Sequence, residues 1–310
     1  MELTRVGCGE FYRVFTPGCP GWHLYSSPGF IATVEDNADD IHFLMMGDSR
    51  PRLGIVLGER GGRLRSPFSA PFGGFLAVRE VSVEHVDVAV GLLKGYGESH
   101  GMPVDVTLPP SFYSPSIIDK TASALMRLGR LSHADINYHY PLTQVDSVED
   151  FLDRSARKNL RRACAQGFAV EWVDIGDTAG ISRVYRVIEA NRHAKGRHVA
   201  MSLEQVIATA PVADTAFFLL TLDGEDVAAA VVQTVTPGVG QVVYWGDRPG
   251  YSAMRPMNLL PVEVFKAMRA RGFDTLDIGP SSLNGIPDYG LCAFKENLGC
   301  RPSLKFRFEI

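Results

Sequence analysis

The chain has 310 residues, 45% of them hydrophobic and 21% charged, a composition that fits globular domains and excludes disordered or collagen-like chains. Its 31 Lys and Arg are outnumbered by 35 Asp and Glu, and the net charge of -4 argues against a basic protein that coats nucleic acid. No segment has the apolar character of a signal sequence or a transmembrane helix, so we expect a cytoplasmic protein without transmembrane segments.

The first half of the chain predicts strands and helices in alternation. Residues 53–57 and the turn at 59–62 indicate a strand hairpin, and apolar residues recur at helical spacing over 85–101. A short strand at 104–108 runs into prolines and a serine. A further helix then leads to an alternating strand around 136–140, which closes this half.

The second half repeats this order. A predicted helix at about 178–192 precedes strands at 217–222, 227–234 and 241–245. The succession of helix, strand, loop, helix and strand then recurs at an offset of about 171 residues, which indicates a duplicated unit. Strands that alternate with helices favour mixed sheets covered by helices. The sequence therefore predicts two α/β domains, residues 1–145 and 146–310.

Three motifs of the second half resemble the GNAT acyltransferase superfamily. Residues 284–300, with the pair Phe294-Lys295, are similar to the last helix of the FemABX branch, the aminoacyl-tRNA-dependent peptidoglycan transferases and their CelD-like relatives. Residues 155–163 resemble the basic helix that opens that branch's second domain, and 191–202 resemble its Arg/Lys-Gly loop. The resemblance implies two GNAT-like mixed-sheet domains in tandem, the second with the active centre and the first for support or acceptor recognition.

Three residues are candidates for catalysis. The resemblance implies that Lys295 lies beside the acyl-transfer centre, where a cation stabilises the charge that develops when an amine attacks an acyl ester. It also places Tyr289 near the position of the GNAT acid for the leaving group. Asp277 is a candidate general base, although its near-counterpart Asp105 favours a structural part in both halves. An exposed helix lysine and a core or rim tyrosine are the alternative interpretations.

The loop after the strand at 241–245 corresponds to the place where GNAT enzymes bind the CoA pyrophosphate with backbone N–H groups at a helix N-terminus. Here the inner glycine comes one residue early and Pro249 removes a donor. The cofactor-binding candidates are Arg248, Gly250, Ser252, Ala253 and Asn284. The donor is open between an acyl-CoA and an aminoacyl-tRNA.

A single helix is predicted from about 148 to 165, with Ser147 and Asp150 as an acidic variant of the capping box. One face is apolar, with Leu152, Ala156, Leu160 and Ala163. The opposite face carries Arg154, Arg157, Lys158, Arg161 and Arg162. Such cations either form a solvated face or bind polyphosphate or nucleic acid, and the resemblance favours binding, possible tRNA included, for Arg157 and Arg161. Further substrate-binding candidates are Lys195, Arg197 and Tyr244.

No metal is expected, because His193 and His198 lack a third clustered ligand and the five cysteines are scattered. We predict an acyltransferase that moves an acyl or aminoacyl group to an amine acceptor, a small molecule or a cell-envelope precursor. The alternative is a non-catalytic GNAT-like binding module for such a precursor or a partner. The altered loop favours the module, whereas the intact Phe294-Lys295 pair opposes it.

Overall fold

The computed structural model describes residues 1–144 and 147–310, and these fall into two compact units. Unit 1 comprises Met1–Ile136, Ser282–Pro287 and Ser303–Ile310. Unit 2 comprises the described residues of Asn137–Ser281 and Asp288–Pro302. The predicted boundary between residues 145 and 146 lies outside the described residues. Among the helices that are described, none combines the length and apolar character needed to cross a lipid bilayer.

Strands and α-helices alternate along the described residues. The strands are β1 (Glu2–Val6), β2 (Asp40–Gly47), β3 (Pro51–Arg60), β4 (Arg63–Ser66), β5 (Leu76–Ala77), β6 (Val104–Thr107), β7 (Arg130–Pro141), β8 (Ala169–Val173), β9 (Ala216–Leu222), β10 (Glu225–Thr236), β11 (Val239–Asp247), β12 (Thr275–Pro280), β13 (Ser282–Leu283), β14 (Ile286–Pro287) and β15 (Arg301–Glu309). The helices are α1 (Cys8–Val14), α2 (Pro28–Val34), α3 (Val83–His100), α4 (Pro115–Leu128), α5 (Val148–Phe151), α6 (Arg154–Cys164), α7 (Thr178–Ala194), α8 (Leu203–Thr209), α9 (Pro256–Ala270) and α10 (Tyr289–Asn297).

The sheet of unit 1 has the strand order β1-β2-β3-β4-β6-β15, with β5 also paired to β3. It is a mixed sheet, because β4 and β6 are parallel whereas the other pairs are antiparallel. Helix α3 begins after the N-cap Ser82 and ends at Gly101, whose φ of 65° is the left-handed conformation that favours glycine at a helix end. The core includes Leu44, Leu57, Val90, Leu125 and Phe308.

The sheet of unit 2 has the order β7-β12-β11-β10-β9-β8, and only Asn137–Pro141 of β7 belongs to this unit. The pair β11 and β12 is parallel and the others are antiparallel. Residues 216–220 and 227–233 are buried, which explains why these strands read as continuous apolar runs. Each unit thus contains a parallel pair joined through a helix, β4-α3-β6 and β11-α9-β12. The predicted fold class is confirmed.

The single helix predicted over 148–165 is wrong. The chain is extended at Leu152, with ψ of 137°, so α5 ends there and α6 begins after Asp153. The Asp153 carboxylate accepts a hydrogen bond from the Ala156 backbone at 2.5 Å, as an N-cap does. Ser147 caps α5 through the Glu149 backbone instead. The predicted apolar face is buried nonetheless.

Candidate active site

Strands β11 and β12 of unit 2 pair only over their first residues. The parallel ladder runs from Val239 and Thr275 to Gln241 and Asp277, and within the described residues it extends no further. A bulge at Val243 changes the register of β11 against β10 at this level. Residues 242–247 of β11, which we call the open edge, therefore have backbone groups on the β12 side that no ladder occupies.

Asp277 lies at the last rung of this ladder and is fully buried. Its Oδ1 accepts hydrogen bonds from Asn137 Nδ2 at 2.8 Å and from the Gly279 backbone N–H at 2.9 Å. Its Oδ2 accepts one from Gln241 Nε2 at 2.7 Å. Because both oxygens are engaged and none is exposed, this geometry favours the structural interpretation of Asp277 over that of a base in contact with substrate.

Lys295 does not lie on an exposed helix face, because its side chain is 2% exposed. Its Nζ donates hydrogen bonds to the backbone carbonyls of Gly279 at 2.7 Å and Pro280 at 3.1 Å, and lies 5.6 Å from the centroid of the Tyr138 ring. Burial lowers the pKa of Lys295 to about 8, although the charge of Asp277 acts in the opposite direction. Two of the three ammonium protons are thus used by β12, since lysine has three donors.

The face of α10 around Lys295 is closed by side chains of unit 2. Tyr138 donates a hydrogen bond to Glu296 at 2.6 Å, and the Trp245 and Phe294 rings are 6.1 Å apart in an edge arrangement. Cys300 is buried, and burial raises the pKa of its thiol. A thiol that stays protonated is a poor nucleophile, which agrees with a packing role for Cys300.

Loop 248–255 joins β11 to α9 and contains four of the predicted cofactor-binding residues. The Arg248 guanidinium donates to Glu225 at 3.3 Å and to the Asp226 carbonyl at 3.1 Å, so the loop is anchored to the hairpin of β9 and β10. In the part of the chain that the structure describes, the backbone N–H groups of Gly250, Ser252 and Ala253 donate to no protein acceptor.

The end of this loop leads directly into α9. Arg255 is the N-cap residue with φ of 64°, and its side chain makes no capping hydrogen bond. The unpaired N–H groups of Gly250, Ser252 and Ala253 precede this 15-residue helix, whose dipole adds positive potential at its N-terminus, so the loop is suited to bind an anion.

The Lys-Gly loop lies close to the end of β11. Burial lowers the pKa of Lys195, against the charges of Asp247 at the end of β11 and Asp288 at the start of α10. Arg197 lines a separate cavity of about 400 Å³ together with Tyr185, Glu189 and His193. The charges at the end of β11 and the start of α10 thus act on Lys195, whereas Arg197 lines the cavity.

Three further predicted site residues lie away from the open edge or make only local contacts. Tyr244 is buried, and its hydroxyl accepts a hydrogen bond from the Met201 backbone at 3.2 Å. Tyr289 begins α10 and is 81% exposed, while Asp288 caps this helix through the Leu291 backbone at 3.0 Å. Asn284 lies in unit 1, in the turn between β13 and β14, with φ of 53°.

All five cations of α6 are exposed, as the predicted wheel requires. The Arg157 Nε donates to the Leu152 carbonyl at 2.9 Å, so this side chain also closes the break between α5 and α6. None of the five forms an ion pair with another described residue. The α6 cations are therefore available to an anionic ligand.

Sequence reasoning missed Asn137 and Gln241, the two amides that hold Asp277. A polar amide inside a valine-rich strand, as at Gln241, was the available signal, because such a group must find a hydrogen-bond partner when it is buried. It also missed Asn191, which is buried and donates to the Asp247 carbonyl at 2.7 Å.

One group of metal-compatible side chains occurs among the described residues, Asp40, His42 and Glu59 in unit 1. Each already has a partner: His42 Nδ1 is 2.8 Å from the Tyr96 hydroxyl and Asp40 pairs with Arg5 at 2.7 Å. That the protein uses no metal stays a prediction.

Comparisons with known proteins agree with this architecture. Residues 154–295 match the family described as Acetyltransferase (GNAT) domain, an interval that contains α6, the parallel pair and Lys295. No curated protein sequence matches the chain.

Three solved structures share the fold. FemX has 14% identity and a TM-score of 0.66, over 100% of this chain and 97% of its own. L-PGS from Bacillus licheniformis has 13% identity and a TM-score of 0.59, over 93% of this chain and 92% of its own. A tandem GNAT protein from the clavulanic acid biosynthesis pathway has 11% identity and a TM-score of 0.55, over 87% and 82%. The resemblance to the FemABX-like branch of the GNAT superfamily is confirmed, because residues 154–295 match the GNAT acetyltransferase family and the chain has the fold of FemX.

Proposed function

We propose that the protein is an N-acyltransferase whose unit 2 binds an acyl-CoA and transfers its acyl group to an amine. The observation that supports this most is the ladder of β11 and β12, which ends at Gln241 and Asp277 and leaves the open edge free. Loop 248–255 follows this edge directly, has unpaired backbone N–H groups at Gly250, Ser252 and Ala253, and leads into α9. A thioester donor needs both features, one for its carbonyl oxygen and one for its pyrophosphate.

The reaction itself is a direct displacement. The amine nitrogen attacks the thioester carbonyl carbon, the C–N bond forms, and the C–S bond breaks. The thiolate that leaves takes up the proton that the amine loses, so no covalent enzyme intermediate is required. Backbone N–H groups of the open edge stabilise the negative oxygen of the tetrahedral intermediate, and the Lys295 cation lowers its energy further because the site is dry.

The acceptor is proposed to be a cell-envelope precursor with a free amine, the class that the FemABX resemblance favours. The charges of Asp247 and Asp288 act on Lys195, and Arg197 lines the cavity of about 400 Å³. These groups suit an acceptor that carries both an amine and negative charge, because carboxylates bind an ammonium and guanidinium binds anions.

The donor site is tested by calorimetric titration with acetyl-CoA and longer acyl-CoAs at moderate salt. Ala253→Glu places a carboxylate among the free N–H groups, so we expect binding at least about tenfold weaker than for the unchanged protein. Ala208→Glu is the matched control, since Ala208 is also exposed and lies in α8. No binding by the unchanged protein, or equal binding by both variants, would contradict the proposed donor site.

Aminoacyl-tRNA is the second candidate donor, because the exposed α6 cations have no ion-pair partners among the described residues. In this case Arg161→Glu weakens binding of a charged tRNA and reduces the salt dependence of its affinity. Arg13→Glu makes the same charge change on exposed α1 of unit 1 and serves as control. If acyl-CoA or charged tRNA binds but no amine is ever acylated, the non-catalytic binding module is favoured instead.

A further inference from the structure

Gly279 is held from both sides by charged groups that are buried. Its N–H donates to Asp277 Oδ1 at 2.9 Å, and its carbonyl accepts from Lys295 Nζ at 2.7 Å. Asp277 is 0% and Lys295 2% exposed. A carboxylate and an ammonium are therefore bound to the two ends of one residue, two positions after the last rung of the ladder.

The conformation of Gly279 is what these contacts fix. Its φ of 73° lies in the left-handed region, which turns the backbone of β12 immediately after Asp277. The ladder with β11 ends at this level. The bend in β12 and the beginning of the open edge thus coincide, and the contacts of Asp277 and Lys295 secure the bend.

The buried ammonium needs a counter-charge. Asp277, which accepts hydrogen bonds from two side-chain amides and one backbone N–H, carries a negative charge that raises the pKa of Lys295. The acceptors of Lys295 are neutral carbonyls. A buried ammonium without a counter-charge is strongly unfavourable, so Asp277, which Gly279 joins to Lys295, compensates its charge.

We propose that Asp277 is a positioning residue rather than a proton acceptor: with Lys295 it fixes the bend at Gly279, keeps β12 away from the open edge, and supplies the counter-charge of the buried ammonium. This inference rests on the proposed function, because it assigns the open edge and Lys295 to acyl transfer. It explains why a carboxylate with both oxygens occupied lies at the end of the ladder.

A charge-relocation pair of variants tests it. Asp277→Asn removes the negative charge but keeps the size of the side chain. It also places the new amide group opposite the amide of Gln241. The double variant Asp277→Asn/Gln241→Glu provides an acceptor opposite the new amide and returns one negative charge to the same site. Two readouts apply to both variants, the NMR titration of the Lys295 side chain and calorimetric binding of acetyl-CoA.

We expect Asp277→Asn to move the Lys295 titration to lower pH and to weaken acetyl-CoA binding at least about tenfold. The double variant should recover both. The other titratable groups around Lys295, which are Tyr138, Cys292 and Cys300, are unchanged in these variants and cancel in the comparison. A Lys295 titration that is the same in all three proteins overturns the inference, even if thermal stability changes.

Two safeguards keep the test decisive. If Asp277→Asn does not fold, Gly279→Ala replaces it: no atom lies within 4 Å of the added methyl group, so it strains only the left-handed backbone and should weaken acetyl-CoA binding with Lys295 intact. Unchanged binding by this variant contradicts the inference. If the unchanged protein binds no acyl-CoA, the proposed donor fails, whereas the Lys295 titration still decides the role of Asp277.

Discussion

At the scale of single residues, the ammonium group of Lys295 has two roles, one in packing and one in the proposed reaction. It donates to the carbonyls of Gly279 and Pro280, and it is the cation that the proposed reaction uses. Its removal therefore changes both packing and chemistry. The two effects can be separated because its counter-charge, Asp277, can be neutralised as well.

Lys295→Met is expected to reduce acyl transfer at least about a hundredfold, the usual cost of losing one group that stabilises a developing oxyanion. It should also lower stability, because the Lys295 ammonium no longer offsets the buried charge of Asp277. Lys295→Met/Asp277→Asn removes both charges and should recover most of the stability without recovering turnover. Thiol release from acetyl-CoA with an amine acceptor and thermal unfolding are the measurements. Full turnover by either variant would remove Lys295 from the mechanism.

The pKa of Lys295 predicts how stability depends on pH. It is about 8 in the folded protein against 10.5 for an ordinary lysine, so between these values the unfolded chain binds more protons. The contribution of Lys295 to the free energy of unfolding therefore rises with pH from about 8 to 10.5. Below pH 8 this contribution is unfavourable and constant. Over this pH interval, the free energy of unfolding of the unchanged protein should increase by up to roughly 3 kcal/mol relative to that of Lys295→Met. Denaturant unfolding at a series of pH values checks this, and a difference that does not change with pH would contradict it.

The sequence indicated Lys295 through the family resemblance, and Asp277 through its place on the strand before the loop. It did not show that both side chains are buried or that Gly279 joins them, because these contacts link α10 to β12 and depend on tertiary packing. Tyr289 differs from these two residues. The sequence placed it close to the start of the last helix, but its side chain is 81% exposed rather than buried.

At the scale of elements, the break between α5 and α6 positions the cationic helix. Periodicity predicted one continuous helix, since Leu152 continues the apolar face across the break. Periodicity cannot distinguish a continuous helix from two consecutive ones whose buried faces are in phase. The decisive signal in the sequence is Asp153, which is the N-cap residue of α6.

The two capping assignments make different predictions for mutants. Asp153→Ala removes the acceptor for the Ala156 N–H and should destabilise the protein by about 1 kcal/mol. Asp150→Ala, at the residue of the predicted capping box, should have almost no effect, because Asp150 is exposed and α5 is capped by Ser147. Denaturant unfolding of both variants measures the difference. An equal loss in both would contradict the structural assignment.

At the scale of the whole molecule, the internal duplication allowed the fold class to be predicted from the sequence. Two copies of the same order of elements can be recognised without any information on contacts. The units nevertheless differ where the chemistry lies. Asp105 in unit 1 forms ion pairs with Arg63, Arg65 and Arg307, whereas Asp277 in unit 2 is held by amides. The sequence placed both aspartates in corresponding strands but could not show that their surroundings differ.

The sequence also could not show that β15 completes the sheet of unit 1, because strand pairing between distant segments leaves no local pattern. Val106 of β6 pairs with Phe308, which is fully buried in the core of unit 1. A fragment of residues 1–145, the predicted first domain, therefore lacks a strand of its sheet and a core aromatic.

This fragment should not unfold cooperatively on its own, because the edge of β6 and the apolar surface that Phe308 covers are exposed. Addition of a peptide of residues 299–310 should restore a cooperative thermal transition, since it supplies β15 with Phe308. The same peptide with Phe308→Ala is the control, and it should stabilise the fragment less by about 3 kcal/mol or more, the usual cost of emptying a buried phenylalanine site. A cooperative transition of the fragment alone would show instead that residues 1–145 form an independent domain, as the sequence predicts.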